Sequence, residues 1–253
     1  RRGEPDTPDG TCENLVSCLD NVQPEARAMF AREVLLGPLG RFIHRERSDG
    51  KEVLSFPRFQ QFDAVRKLLS DARSKGAGQH YLIQHSARSG KSNTIAWTAH
   101  QIINLHDETD QPLFDTAIIV TDRLVLDRQL QNTIGGFAQT EGVVKKIDGT
   151  SRDLKDAILK GARIIITTIQ KLSIFIRGNN NHDVYNKHVV IVFDECHRSQ
   201  FGDMHTDITR AFKRYHLFGF TGTPIFAANG GSSGNPKLRT TGQTFGDKLH
   251  TYT

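Results

Sequence analysis

Five apolar runs of strand length recur along the chain: YLIQ at 81–84, AIIV at 117–120, RIIITT at 163–168, VVIVF at 189–193 and LFGF at 217–220. Their Val and Ile residues are continuous rather than alternating with polar ones, the pattern of strands buried on both faces. Between them lie longer segments, 93–105 and 124–134, whose apolar residues return at three- and four-residue spacings and read as amphipathic helices. Strand and helix therefore alternate, which predicts an α/β fold: a mostly parallel sheet with helices on both faces and ligands bound beyond the C-terminal ends of the strands. Ahead of this unit lie two helical stretches. One covers about 24–36 and stops at Gly37-Pro38; the other follows Pro57 and carries Phe59, Phe62, Val65 and Leu69 on one face. The run AANGGSSGNP at 227–236 reads as a loop.

Composition narrows the class. With 253 residues, against roughly 150 per domain, the chain holds one large domain or two small ones. Lys and Arg number 33 and Asp and Glu 28, so 33 − 28 leaves +5, a mild basic excess compatible with a polyanionic partner. No apolar run approaches the ~18 residues of a membrane span, and the opening RRGEPDTPDG has no apolar signal core, so a cytoplasmic protein without membrane attachment is expected. The cysteines, Cys12, Cys18 and Cys196, form no CxxC pair, which argues against a disulfide framework or a zinc ribbon.

The chemistry sits at the strand ends. After YLIQ comes HSARSGKS, 85–92, followed at once by a helical pattern, so Ser89, Gly90, Lys91 and Ser92 stand at a strand-to-helix turn. Such a turn offers backbone N–H groups to phosphates, a lysine for the β/γ-phosphates and a hydroxyl for Mg²⁺. The full pattern G-x-x-x-x-G-K-[ST] has His85 in its first place, so on its own the triplet also fits a plain surface turn. VVIVF then ends directly in Asp194-Glu195-Cys196-His197. In a nucleotide hydrolase, acids at this point hold Mg²⁺ and orient or deprotonate the attacking water; in any other fold they form a solvated acidic turn. A third strand ends in FTGTP, 220–224, whose hydroxyls at Thr221 and Thr223 can reach the acidic turn.

In this order GKS, DECH and TGTP resemble the first RecA-like motor domain of a superfamily 2 helicase or translocase of the DEAD/H-box kind. PRFQQFDAV (57–65), QHSARSGKSNTIAW (84–97), VTDRLVLDRQL (120–130), TTIQKL (167–172), DECHRSQFG (194–202) and TFGDKLHTYT (244–253) sharpen this to the motor subunit of type I restriction endonucleases. The resemblance covers residues from about 56 to the end, leaving 1–55 as a helical N-terminal extension. It implies an ATP-dependent DNA translocase lobe using ATP and Mg²⁺, with double-stranded DNA and the methyltransferase and specificity subunits as partners. It also implies residue roles. Gln61 would read the adenine edge while Phe56 or Phe59 stacks on the base, or those aromatics are simply core. Lys91 and Ser92 would hold phosphate and Mg²⁺, with Ser89 and Gly90 in the loop, and Asp194 and Glu195 would be the metal-binding and water-activating acids. His197, Thr221 and Thr223 would couple nucleotide state to the nucleic acid. Thr121, Asp122, Arg123, Thr167, Thr168 and Gln170 would face its backbone, a sequence-independent contact. A binding lobe without turnover, or another superfamily 2 repair or RNA helicase, is the alternative.

Other signals carry less. GGSSG at 230–234 fits G-x-S-x-G but lacks the preceding strand of a nucleophile elbow. The histidines have no zinc-pair spacing with cysteines. No E-x-K or Q-x-K triplet occurs, so the family's nuclease, like its second motor lobe, is expected to lie outside this sequence. Arg88 departs from the glycine usual in the family at that place. Arginine adopts left-handed backbone at a cost of about 1–3 kcal/mol, whereas a guanidinium near phosphates is attractive. If obstruction wins, Arg88→Gly tightens ATP binding roughly 5- to 150-fold at ~1.4 kcal/mol per decade. Calorimetric titration of both proteins decides it, and equal or weaker affinity in the glycine variant means Arg88 is accommodated.

Overall fold

Three strands, Thr116–Thr121 (β4), Ile164–Thr168 (β6) and His188–Asp194 (β7), are buried at every position. That is the consequence of Val and Ile pointing to both faces, and it fixes these strands at the centre of the sheet. In this computed structural model the described residues are 41–48, 51–86, 89–121, 124–137, 142–147, 149–178, 182–196, 201–224, 240–246 and 248–252. The chain divides into two compact units, Arg1–Phe42 and Ile43–Thr253. The second carries the sheet. The expected helix at 24–36 and the loop at 227–236 lie outside the described residues.

The second unit runs His44–Ser48 (β1), Lys51–Ser55 (β2), Phe59–Ser74 (α1), His80–His85 (β3), Lys91–Ile102 (α2), β4, Leu124–Gly136 (α3), Val144–Lys146 (β5), Ser151–Leu159 (α4), β6, Ile169–Gly178 (α5), His182–Tyr185 (α6), β7, Phe201–Ala211 (α7), Arg214–Thr221 (β8), Thr241–Phe245 (α8) and Lys248–Tyr252 (β9). β1 and β2 pair antiparallel as a separate two-stranded sheet. They fall inside the stretch that the sequence reading assigns to a helical extension, because β1, HRERS, is wholly polar and β2, KEVLS, has only two apolar residues, so neither gives a strand signal. The main sheet has the order β5-β6-β4-β7-β8-β3-β9, with every pairing parallel.

Parallel pairing puts all seven C-terminal strand ends on one edge. On one face, Ile118, Val120, Ile165, Ile191, Phe193 and Leu217 form a single core with Leu154, Leu172, Phe175, Met204, Ile208 and Phe245 from α4, α5, α7 and α8. The alternate residues Ala117, Ile119, Val190, Val192, Phe218 and Phe220 point the other way and are equally buried. On α1 the buried residues are Gln61, Phe62, Ala64, Val65, Leu68 and Ala72, so the inward face passes through Leu68 and not through the half-buried Phe59 and Leu69. The outermost strands are blunted: β5 has three residues with Lys145 and Lys146 exposed, a usual guard on a sheet edge. Among the described residues no helix is long and apolar enough to cross a membrane.

Several histidines are folded in as neutral rings. His216 is fully buried against Phe114 (5.1 Å between ring centres) and His188 (5.5 Å), and neither of its nitrogens has a hydrogen-bond partner among the described residues. Burial, reinforced by His188 and His80, lowers its pKa to about 3. His205 and His85 are lowered to about 4, again chiefly by burial. Each lies below the ordinary histidine value near 6.5 that the unfolded chain keeps. The unfolded state therefore binds more protons below that value, and stability, full above pH 6.5, falls as pH drops towards 4. The urea midpoint is expected to be lower at pH 5 than at pH 7.5, with a smaller difference in His216→Phe. A midpoint constant across that range contradicts neutral burial.

Candidate functional site

The strand ends hold the expected chemistry in one place. β3 and β7 are separated only by β8, so with ~4.8 Å between strands their ends lie about 10 Å apart. A lysine at the start of α2 spans that gap. Lys91 Nζ lies 3.2 Å from Asp194 Oδ1 and forms a closer ion pair with Glu195 Oε1. The pair with Asp194 is close without being aligned as a hydrogen bond, and the buried Asp194 Oδ1 has no hydrogen-bond partner among the described residues. Burial raises the Asp194 pKa, and the Lys91 ammonium partly offsets this.

Backbone geometry aims these groups. Glu195 has φ +56°, the left-handed region, which costs a non-glycine residue about 1–3 kcal/mol. The reversal follows directly on β7 and turns the carboxylate back towards Lys91 rather than along the strand. Cys196 is then tied to the next strand by its N–H donating to the Phe220 carbonyl at 3.1 Å. Thr221 closes the end of β8, its hydroxyl accepting from the Thr223 N–H at 3.1 Å.

Gly90 caps α2 at φ +79°, and no side chain caps the helix start. The first N–H groups of α2, which have no partner inside the helix, open on the same edge. The Ser89 hydroxyl is buried without a partner among the described residues. Gln61 approaches from α1: its Nε2 donates to the Gly90 carbonyl at 2.9 Å and its Oε1 accepts from the Arg58 N–H at 2.8 Å. Ser92 stands in the first turn of α2, partly exposed.

The residues expected to face nucleic acid divide in two. Thr121, Thr167 and Thr168 are buried at the ends of β4 and β6, with the Thr121 hydroxyl directed at the Thr167 carbonyl and the Thr168 hydroxyl accepting from the Lys171 N–H. Gln170, in the first turn of α5, is exposed. All four stand at the C-terminal edge of the sheet, the threonine side chains buried and Gln170 exposed, and the buried Thr167 hydroxyl has no hydrogen-bond partner among the described residues. Phe56 is exposed just before α1. Arg88, Asp122, Arg123 and His197 lie outside the described residues. Sequence reasoning missed the pairing of Gln61 with Gly90, 29 residues away, which no local spacing announces.

A Cβ on Gly90 would stand 2.3 Å from Gln61 Nε2, and the residue's φ is left-handed besides. Gly90→Ala is therefore expected to lose about 1–3 kcal/mol of stability in urea unfolding and to displace Gln61. A variant as stable as the parent means the loop relaxes freely.

Comparison with known proteins places this site in a family. Residues 60–253 match the SWI2/SNF2 ATPase family. A type I restriction enzyme endonuclease subunit of Staphylococcus aureus (strain MSSA476) is 37% identical over 202 residues, covering 79% of this chain and 20% of that protein. A Mycoplasma pneumoniae protein named as the C-terminal part of such a subunit is 32% identical over 206 residues, covering 77% of this chain and 95% of that protein. The chain thus spans about a fifth of the length of the staphylococcal relatives. Among solved structures, the helicase UvsW of bacteriophage T4 aligns with a TM-score of 0.58 at 17% identity, over 88% of this chain and 39% of its own. A fragment of a type I restriction enzyme subunit from Vibrio vulnificus aligns at 0.50 and 17%, over 78% and 30%. The chain belongs to the SWI2/SNF2 ATPase family, on the branch that includes the endonuclease subunits of type I restriction enzymes.

Proposed function

We propose that this chain supplies the first ATP-binding motor lobe of a DNA translocase in a type I restriction complex. The observation that carries the reading is Lys91, held at an uncapped helix start between Asp194 and Glu195. Without nucleotide the ammonium neutralises two carboxylates; with phosphates on the α2 N–H groups it has a stronger anion to turn to. Its departure would free Asp194 Oδ1, buried and without a hydrogen-bond partner among the described residues, which with the Ser92 hydroxyl makes a donor set that suits Mg²⁺. Mg²⁺ needs few protein oxygens because it keeps waters and phosphate ligands. Ser92 and Asp194 would hold it, and it would neutralise charge on the phosphate oxygens. Glu195, released from Lys91, orients and deprotonates water. Gln61 retains a second N–H for the adenine edge, with Phe59 or Phe56 alongside the base.

Duplex DNA would run over the same edge, touched at its backbone by Gln170, Arg123 and the loops after β4 and β6, with His197, Thr221 and Thr223 relaying nucleotide state. The methyltransferase and specificity subunits would complete the complex. The arginine that closes such sites is supplied by a second motor lobe and is worth about 10³–10⁵ in rate. The expected outcome is Mg-ATP binding with slow hydrolysis, and loss of binding in Lys91→Ala. DNA-stimulated turnover of several per second by this chain overturns the slow-lobe reading in a steady-state assay. Binding to duplex DNA is expected to be independent of sequence and steeply salt-dependent, with Arg123→Ala flattening the log K against log salt slope by about one. Salt-insensitive affinity contradicts backbone contact.

A further inference from the structure

The TFGDKLHTYT segment has so far been a family resemblance without a task. It covers the end of α8 and all of β9, and β9 pairs with the outer side of β3 as far as His85: His85 stands opposite Tyr252, and the Ser86 N–H donates to the Tyr252 carbonyl at 3.0 Å. Inside this pairing runs a chain of three side chains. His85 Nε2 lies 3.0 Å from His250 Nδ1, and His250 Nε2 lies 3.3 Å from Asp63 Oδ2. Asp63 is two residues beyond Gln61 on α1, and His85 is the last residue of β3.

The carboxylate decides the protons. Asp63 accepts only, so His250 carries its proton on Nε2, presents the bare Nδ1 to His85, and His85 must donate from its own Nε2. His85 is fully buried, and its burial, His250 and Lys91 hold it neutral with a pKa near 4, so the chain stays in this tautomeric order at neutral pH. The same segment braces the acidic turn. Phe245 of α8 packs on Phe193 at 5.9 Å between ring centres, filling the space over Gly219, where a Cβ would come within 2.7 Å of the Phe245 ring and 2.8 Å of Cys196 Sγ.

We propose that the TFGDKLHTYT segment is a positioning element of the nucleotide site, in which His250 locks the strand feeding the phosphate loop to the helix carrying Gln61. Gln61 bonds to Gly90 from α1, whose apolar face is packed in the core, and the Asp63–His250–His85 chain adds a polar tie between that helix and the end of β3. The inference rests on the nucleotide reading of the site above. His250 is a positioning residue that acts through Gln61 and the loop.

The test is Mg-ATP titration of the full chain at pH 7.5, with side-chain ¹⁵N spectra of the histidines in the nucleotide-free protein. His250→Leu is expected to weaken ATP at least tenfold. His250→Gln, whose amide again donates to Asp63, should recover most of that loss, and Asp63→Ala, on a partly exposed carboxylate, should weaken binding in the same direction. The spectra should show both His85 and His250 protonated on Nε2. A parent chain that does not bind Mg-ATP overturns the nucleotide reading itself. A parent that binds, with His250→Leu and Asp63→Ala binding equally well, overturns the positioning role alone. Failure of His250→Gln to recover affinity reduces His250 to packing and also overturns it. Should His250→Leu not fold, Asp63→Ala and the spectra decide.

Discussion

Burial of the parallel sheet on both faces is the constraint on which everything else depends. Once β4, β6 and β7 have no exposed position, a reactive side chain can leave the sheet only where a strand stops. Parallel pairing gathers those stops on a single edge. The loop after β3, the acids after β7 and the turn after β8 therefore meet by topology, with no contact between the segments needed to draw them together. The cost is that polar groups near those ends are desolvated. Asp194 shows it: burial pushes its pKa up, although a lysine stands beside it.

Two effects compete at Lys91, and their order decides what the site does. Removing a carboxylate from water costs several kcal/mol per ion, and a single well-placed cation only partly offsets that. One ammonium shared between Asp194 and Glu195 leaves the trio net negative and Asp194 Oδ1 without an aligned hydrogen bond among the described residues. The left-handed backbone at Glu195 adds a further unfavourable contribution of about 1–3 kcal/mol. A ligand bringing both an anion for Lys91 and a cation for the acids would relieve these terms. A metal nucleotide has that composition, whereas a bare anion would leave the two carboxylates facing each other.

The central strands and the three strand-end motifs are legible in the sequence because both rest on local patterns: unbroken Val and Ile runs, and short motifs placed directly after them. The edges are not. β5 has only the residues VKK, and β9, KLHTY, reads as polar because an edge strand has a solvated side to satisfy. The β1–β2 pair, HRERS and KEVLS, has only Val53 and Leu54 as apolar residues and gives no buried-strand signal. On α1 the periodicity was right but the face was rotated, since Phe59 opens the helix before the first buried turn and Leu68, not Leu69, points inward. The threonines of β4 and β6 are type-correct for phosphate contact, yet strand ends bury short hydroxyls more readily than they present them. The contact between His85 and His250 spans 165 positions, and nothing in the spacing of single histidines could have announced it.

The position of β8 bears on how such a site communicates. β8 lies between the two halves, its Phe220 in register with Asp194 on one side and with Ile83 on the other, and its Thr221 opposite Gln84. The TGTP turn thus begins level with the last residues of both flanking strands. Lys91 crosses over β8 to reach the acids, so a change in its partner alters the charge directly above this turn. The turn is held by short local bonds, Thr223 N–H to the Thr221 hydroxyl and Cys196 N–H to the Phe220 carbonyl. The acidic turn is tied to β8 through the backbone, by the ladder pairing of Asp194 with Phe220 and by the Cys196 N–H on the Phe220 carbonyl. A strand clamped on both sides cannot shift along its length without breaking ladder hydrogen bonds, which leaves rotation of the turn beyond Thr221 as its softest response. The residues of this turn, Thr221, Gly222, Thr223 and Pro224, are small, so reorientation there displaces no large core side chain.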